Sequence, residues 1–199
     1  TVLAIKGDLR QGIEYGEMSV KLAPNPAYES WAKCNLAHTW CLSGEFDKGI
    51  EVLDFYVQIF RAGHLILGEI GWAPLLAEGY LLAGAVDKAE QTAREALEVC
   101  NRCGANCYGG WNHLVLGEVA IEKDLSQASP HLEKCIALFK EIKAENMLAK
   151  TYAGYGRYYK KKGDTAQARE YLTKALDIFN RLGTLIEPDK VKKELASLP

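Results

Sequence analysis

Apolar side chains recur along this chain at intervals of three and four, and the stripe restarts five times. Each restart has the same frame, a turn residue followed five positions later by a small residue: Gly7 to Gly12, Gly44 to Gly49, Gly84 to Ala89, Lys123 to Ala128 and Gly163 to Ala168. Successive small residues lie 37, 40, 39 and 40 positions apart, the signature of stacked supersecondary units. In the four complete units, Leu53, Ala93, Leu132 and Leu172 stand four residues after the small residue. Val57, Leu97, Ile136 and Leu176 stand eight after it, and Phe60, Cys100, Phe139 and Phe179 eleven after it. Offsets of four, eight and eleven trace one face of a helix. Twelve residues before the small residue stand Ala37, Ala77, Leu116 and Gly156, and nine before it Trp40, Tyr80, Val119 and Tyr159. These mark the buried face of a preceding helix, so each unit reads as two antiparallel helices joined by a short turn.

The pattern predicts helices over 9–23, 27–43, 46–62, 69–83, 86–103, 109–122, 125–143, 146–162, 165–181 and 188–197. Asp8, Asp124 and Asp164 directly follow the turn residue, where a carboxylate accepts the orphan amide hydrogens of a helix start and complements its dipole. Ser126 and the Asp47-Lys48 and Asp87-Lys88 pairs fall in first turns for the same reason. The expected architecture is all-α, a right-handed solenoid treated as one domain. It comprises a partial repeat over 1–26, repeats over 27–65, 66–105, 106–145 and 146–184, and a capping helix over 187–199. Because the chain opens on Thr1 and reaches its first turn after six residues, it reads as a piece of a longer protein. The short first repeat then leaves an apolar N-terminal edge through which copies could self-associate.

Composition narrows the partners. A net charge of -2 and a pI near 6.1 give no electrostatic reason to expect nucleic acid or an anionic membrane. The most apolar stretch, Leu65 to Val86, carries Glu69 and Glu78 and is broken by glycines and Pro74, so it reads as a buried helix with its approach loop. Six cysteines without a pairing scheme suit reduced thiols in a cytoplasmic setting.

The small residue, the Ala-Leu pairs seven and eight positions later (Ala96-Leu97, Ala175-Leu176) and the large residue before the turn resemble the tetratricopeptide repeat. Its closing proline appears once, as Pro24; Arg61, Asn101, Lys140 and Asn180 replace it elsewhere. The period of about 40 residues departs from the usual 34, with segments such as 62–69 and 104–109 expected to absorb the excess. The run from Ala168 to Thr184 followed by Glu187-Pro188-Asp189-Lys190-Val191 also resembles the C-terminal end of bacterial signalling proteins. Those proteins couple a class III adenylate or guanylate cyclase and an AAA-type ATPase to a tail of such repeats. This resemblance implies a non-catalytic regulatory tail that binds a protein or peptide in a concave groove, with the final helix sealing the open end.

The resemblance also implies which residues line the groove: Trp31, Cys34, His38 and Cys41, then Pro74, Glu78 and Leu81, then His113, Gly117 and Ala120, then Lys150, Ala153, Arg157 and Lys160. Of these Trp31, Cys34, His38, Glu78, His113, Arg157 and Lys160 are the candidate binding residues. The chaperone-binding members clamp a carboxylate with Lys and Asn; Cys34 with His38 and Pro74 with Glu78 stand in their place, which argues against that clamp. Arg157 and Lys160 to Lys162 either meet an acidic group or solvate a helix end. Cys34 and His38 are four apart on one helix, close enough to activate a thiolate, but no orienting group or oxyanion site accompanies them, so no catalytic residue is expected. Cys100-x2-Cys103-x3-Cys107 with His113 downstream has soft-ligand spacing. Cys100 sits in the core register, leaving Cys103, Cys107 and His113 as the candidate ligands of an alternative, metal- or ligand-sensing reading. No Walker or dinucleotide loop is present, and no cofactor is expected. Glycines at 68, 71, 79, 104, 109, 110 and 117 suggest a flexion point in the middle unit.

Overall fold

In the four complete repeats each helix ends near a fixed place in the repeat. In the computed structural model, which describes residues 2–199, Gly44, Gly84 and Gly163 take left-handed φ values of 94°, 76° and 82°. The following amide reaches back to a carbonyl of the last turn, as Glu45 N to Trp40 O and Asp164 N to Tyr159 O do, both at 2.9 Å. This closure satisfies orphan carbonyls and reverses the chain within two residues. The second helix of each repeat ends in the same way fifteen residues after the small residue, at His64, Gly104, Lys143 and Gly183, with φ of 53°, 70°, 56° and 64°. Two of those four positions hold side chains for which the left-handed conformation is sterically unfavourable.

Among the described residues the helices are α1 (Val2–Lys6), α2 (Leu9–Lys21), α3 (Pro26–Ser43), α4 (Phe46–Ala62), α5 (Ile66–Leu82), α6 (Val86–Cys103), α7 (Asn106–Lys123), α8 (Ala128–Glu141), α9 (Glu145–Lys162), α10 (Thr165–Leu182) and α11 (Glu187–Ala196). A 3-10 turn, Leu125–Gln127, leads into α8. The three aspartates cap as expected: Asp8 accepts from Gln11 N, Asp164 from Gln167 N, and Asp124 from both the amide and hydroxyl of Ser126. Asn25 does the same for α3, with Pro26 supplying the pre-set φ of the first helical residue.

The excess over a 34-residue period lies in the helices, not in long connections. α5 starts at Ile66 and α7 at Asn106, three residues before the expected starts, so the segments read as approach loops are first turns of helix. Helices of 17 or 18 residues flanking two- and three-residue turns account for the repeat length. One register detail also differs. The residue seven after the small one, Ala96, Cys135 or Ala175, is fully buried, whereas Leu97, Ile136 and Leu176 at eight are half-buried.

The helices gather into two units, one ending at Gly104 and the other starting at Ala105. In the first, α3 packs on α2, α4 and α5, and α5 on α4 and α6. In the second, α7 packs on α8 and α9, and α10 on α9 and α11. Leu53, Leu132 and Leu172 have no exposed surface, and Phe139 and Phe179 are buried beside them. The second unit carries a ladder of aromatic rings in which Tyr155 and Tyr159 of α9 stack on Tyr171 of α10, at 4.8 Å and 19° and at 5.5 Å and 12°. The terminal helix α11 buries Val191, and Leu198 just beyond it, against α9 and α10, as expected of a cap; Lys190, Lys192 and Lys193 face water. Glu194 is turned to Arg157.

Of the glycines read as flexion points, Gly68, Gly79, Gly110 and Gly117 are sites of close approach, whereas Gly71 and Gly104 border open space. A Cβ on Gly68 would lie 2.5 Å from the Phe60 ring, and one on Gly110 2.8 Å from Phe139. Within the α3–α4 hairpin the helices cross closely at Gly49, where an added Cβ would lie 2.5 Å from both the Ala37 carbonyl oxygen and Cys41 Sγ. Gly49→Ala is therefore expected to lower stability by about 1–3 kcal/mol through overpacking, read as a reduced urea midpoint. Replacement of His64 or Lys143 by glycine is expected to have the opposite sign, raising stability by about 1 kcal/mol and the melting temperature by about 2–4 °C. A melting temperature unchanged by both replacements would show that the left-handed turns carry no strain.

Candidate functional site

Within each unit the first helices touch directly, α3 on α5 and α7 on α9, so residues four and seven apart on α3 meet another helix rather than water. In each unit this contact has two rungs. The outer rung of the first unit is Trp31 of α3 against Trp72 of α5, edge to face, with centroids 5.7 Å apart at 87°. In the second unit it is Lys150 of α9 over the Trp111 ring of α7, at 6.0 Å. Two turns further lies an acid–base rung. His38 Nε2 donates to Glu78 Oε2 at 3.0 Å in the first unit, the carboxylate being able only to accept. In the second, the Arg157 guanidinium grips Glu118 through Nε and Nη2 and donates from Nη1 to Glu194 Oε1 of α11 at 2.9 Å. His38, Glu78 and Arg157 all stand eleven residues before the small residue of their repeat, and Glu118 ten before.

This packing corrects the expected lining of the groove. Cys34, His38 and Cys41 are buried, with at most 1% of their surface exposed, and His113 is buried as well. Pro74, Gly117 and Ala120 are buried too, and Glu78 nearly so. Trp31 is half-exposed, and Lys160 is exposed with its Nζ donating to Ser197 Oγ at 2.7 Å. Lys161 donates to the Ile121 carbonyl, and Lys162 lies over the rings of Tyr158 and Tyr159. The basic end therefore engages its charges within the chain. Burial opposes the Arg157 charge, yet Glu118 and Glu194 outweigh it and hold the guanidinium above its ordinary value.

The chemistry of the thiols follows from the same burial. Loss of hydration pushes Cys34 and Cys41 up to about 12, the latter helped by the Glu78 charge, so neither is a thiolate near neutrality. Cys34, wholly buried, presents no sulfur surface to a substrate in this structure. Cys103 and Cys107 are exposed, and burial of its sulfur nudges Cys107 upward. His113 faces neither of them; its Nδ1 lies 2.9 Å from Nδ1 of His131 on α8. Among the described residues no three His, Cys, Asp or Glu side chains converge on a metal-sized site.

Trp72, Trp111, Glu118, His131 and Glu194 belong to these rungs and contacts but were not among the candidate binding residues. Trp72 and Trp111 each stand seventeen before the small residue, a recurrence that would have found them. Glu118 and Glu194 sit off the repeat register by one and by several residues, and only the packing of α7, α9 and α11 brings them together.

The tetratricopeptide repeat family model matches residues 120–181, from the last turn of α7 almost to the end of α10. Among solved structures the chain is similar to BtubC (BKLC) from P. vanneervenii, with a TM-score of 0.70 and 20% identity over 96% of this chain and 82% of that one. It is also similar to the nearly identical TPR-like repeats of a Podosopora anserina protein named for the kinesin light chain. A substituted form of those repeats aligns at a TM-score of 0.61 and the unsubstituted form at 0.59, each with 16% identity over 90% of this chain and 91% of that one. At these identities the likeness is one of fold. No curated protein matches the chain in sequence. The fold is thus of the TPR-like repeat type, which generally serves protein–protein interaction, and no described helix is long and apolar enough to cross a membrane.

The buried His113 gives the second unit a pH dependence. Burial, with the charges of His131 and Lys134 adding to it, holds His113 down to about 4. The unfolded chain takes up this proton near pH 6.5 and the folded one only near 4, so the contribution is fully present above about 6.5 and is lost as pH falls through that window. The urea midpoint is expected to decline between about pH 6.5 and 4.5, and His113→Asn to flatten that decline. An identical slope in wild type and variant would remove His113 as its source.

Proposed function

We propose that this chain is a non-catalytic interaction module that holds a protein or peptide segment at the aromatic corner of α3 and α5, with Trp31 as its anchor. The observation that carries this reading is the Trp31–Trp72 pair. Trp31 exposes half its surface while Trp72, nearly buried, braces it edge to face. A large aromatic held rigid against a buried one loses little conformational freedom when a ligand covers it, which is what makes tryptophan a frequent binding hot spot. The buried indole N–H of Trp72 has no hydrogen-bond partner, and a small outward shift of Trp31 would let a carbonyl of the ligand satisfy it. Tyr28, one turn before Trp31, and Leu65, Ile66 and Leu67 at the start of α5 extend the apolar surface. Eleven of the fourteen large exposed hydrophobic residues among those described lie in the first unit, which favours it over the basic end of α9 as the docking side.

The resemblance of the run from Ala168 to Val191 to the tails of cyclase–ATPase signalling proteins supports a finer reading, a regulatory tail in a bacterial, cytoplasmic signalling protein. The six thiols, none in a disulfide, agree with a reducing compartment. On this reading Glu78, His38 and Cys34 in the first unit, and His113 and Arg157 in the second, act by fixing the spacing of the first helices, and Lys160 meets solvent.

Peptides selected by display on the wild-type chain are expected to bind Trp31→Ala at least about tenfold more weakly, about 1.4 kcal/mol or more, with the far-ultraviolet dichroism unchanged. Ligands that bind the variant undiminished would move the site elsewhere on the molecule.

A further inference from the structure

The outer faces of α2 and α4 carry the same four-residue pattern. Glu14, Met18 and Leu22 follow Gly12 by two, six and ten residues, with Glu17 beside them at five; Glu51, Phe55 and Ile59 follow Gly49 by the same distances, with Asp54 at five. Steps of four place acid, apolar and apolar residue in one column along a helix. The apolar members are exposed: Met18 53%, Leu22 70%, Phe55 59% and Ile59 43%. Both helices pack on α3, so the two columns belong to one unit and are linked through that helix. No other second helix repeats it. α6 has Arg94 in place of the second acid and buries Val99 where Leu22 and Ile59 are exposed, while α8 and α10 place Lys134 and Lys174 where α2 and α4 have Met18 and Phe55.

The electrostatics of this unit point the same way. Residues 1–104 hold nine lysines and arginines against fourteen aspartates and glutamates, a net -5, whereas residues 105–199 hold fifteen against twelve, a net +3. Several of the nine cations are already paired, Arg10 to Glu14, Lys33 to Glu29, Lys48 to Glu45, Arg94 to Glu90, and Arg61 to Glu69 and Glu95. An acidic surface repels nucleic acid and anionic lipid and attracts a cationic ligand. Exposed apolar columns with carboxylates alongside match an amphipathic helix whose apolar stripe is bordered by Lys and Arg. We infer that the outer face of α2 and α4 is a second interaction surface, distinct from the Trp31 corner, whose partner is a cationic amphipathic helix of another protein.

A fluorescein-labelled amphipathic peptide of Leu and Lys serves as the probe, beside a counterpart with Glu in place of every Lys, both read by fluorescence anisotropy. The cationic peptide is expected to bind with a micromolar dissociation constant that weakens about fivefold or more between about 50 and 300 mM salt, and the acidic one not at all. Met18→Ser with Phe55→Ser, both at exposed positions, is expected to reduce binding about tenfold or more. Glu17→Lys with Glu51→Lys is expected to do the same, while Trp31→Ala leaves it unchanged. Equal binding of the two peptides, or undiminished binding by both double variants, would overturn the proposal. So would binding of phosphatidylserine vesicles that the double variants lose, which would assign the face to a membrane. A concentration-dependent dimer in sedimentation velocity that Met18→Ser/Phe55→Ser abolishes would overturn it too, by assigning the face to a second copy of the chain.

Discussion

The close crossing of the two helices in each hairpin is the constraint on which the rest of the structure depends. At Gly49 the neighbouring backbone leaves no room even for a methyl group, and at Ala89, Ala128 and Ala168 the methyl is wholly buried. A small residue there fixes how near the helices come, and their separation fixes which later positions face inward. The leucines four residues on and the phenylalanines eleven on fill the layer so defined. Even the left-handed turn that ends each second helix keeps a constant distance from this point. The period is thus a packing dimension expressed along the sequence.

Direct contact between first helices imposes the second layer of order. Helices buried on several sides must place their polar groups where partners exist, because an unpaired charge away from water is costly. His38–Glu78 and Glu118–Arg157 meet that demand at matching heights in the two units, using different chemistry for one mechanical task. The Arg157 grip reaches one element further, to Glu194, so the terminal helix is held by charge as well as by Val191 and Leu198. What solvent meets is therefore decided on the remaining faces: Trp31 at the outer rung and the columns of α2 and α4.

Much of this was legible in the sequence because period, stripe and cap are local signals. The frame from Gly44 to Gly49 and the carboxylates of Asp8, Asp124 and Asp164 specify turns and helix starts within a few residues of themselves. The core phenylalanines follow from one offset. Burial of Cys34, His38 and Cys41 was not legible, because an exposed and a buried groove face share the same spacing, and the distance between first helices depends on the summed volume of two elements far apart in the chain. The partners of Arg157 were hidden for a similar reason: Glu118 and Glu194 come from helices on both sides and obey no common repeat offset. The connection over 62–69, read as a long loop, proved largely helical because His64 closes the turn in a conformation its residue type rarely favours, which local preference does not foresee.

The aromatic residues are divided unevenly between the two units. Three of the four tryptophans, Trp31, Trp40 and Trp72, lie before Gly104, whereas the ladder of Tyr155, Tyr159 and Tyr171 lies after it. Indole emission excited at long wavelength therefore reports mainly on the first unit, and the exciton signal of stacked phenols in the near-ultraviolet on the second. The molecule carries two built-in optical channels, and whether its halves melt together or in sequence can be read without attaching a label to either.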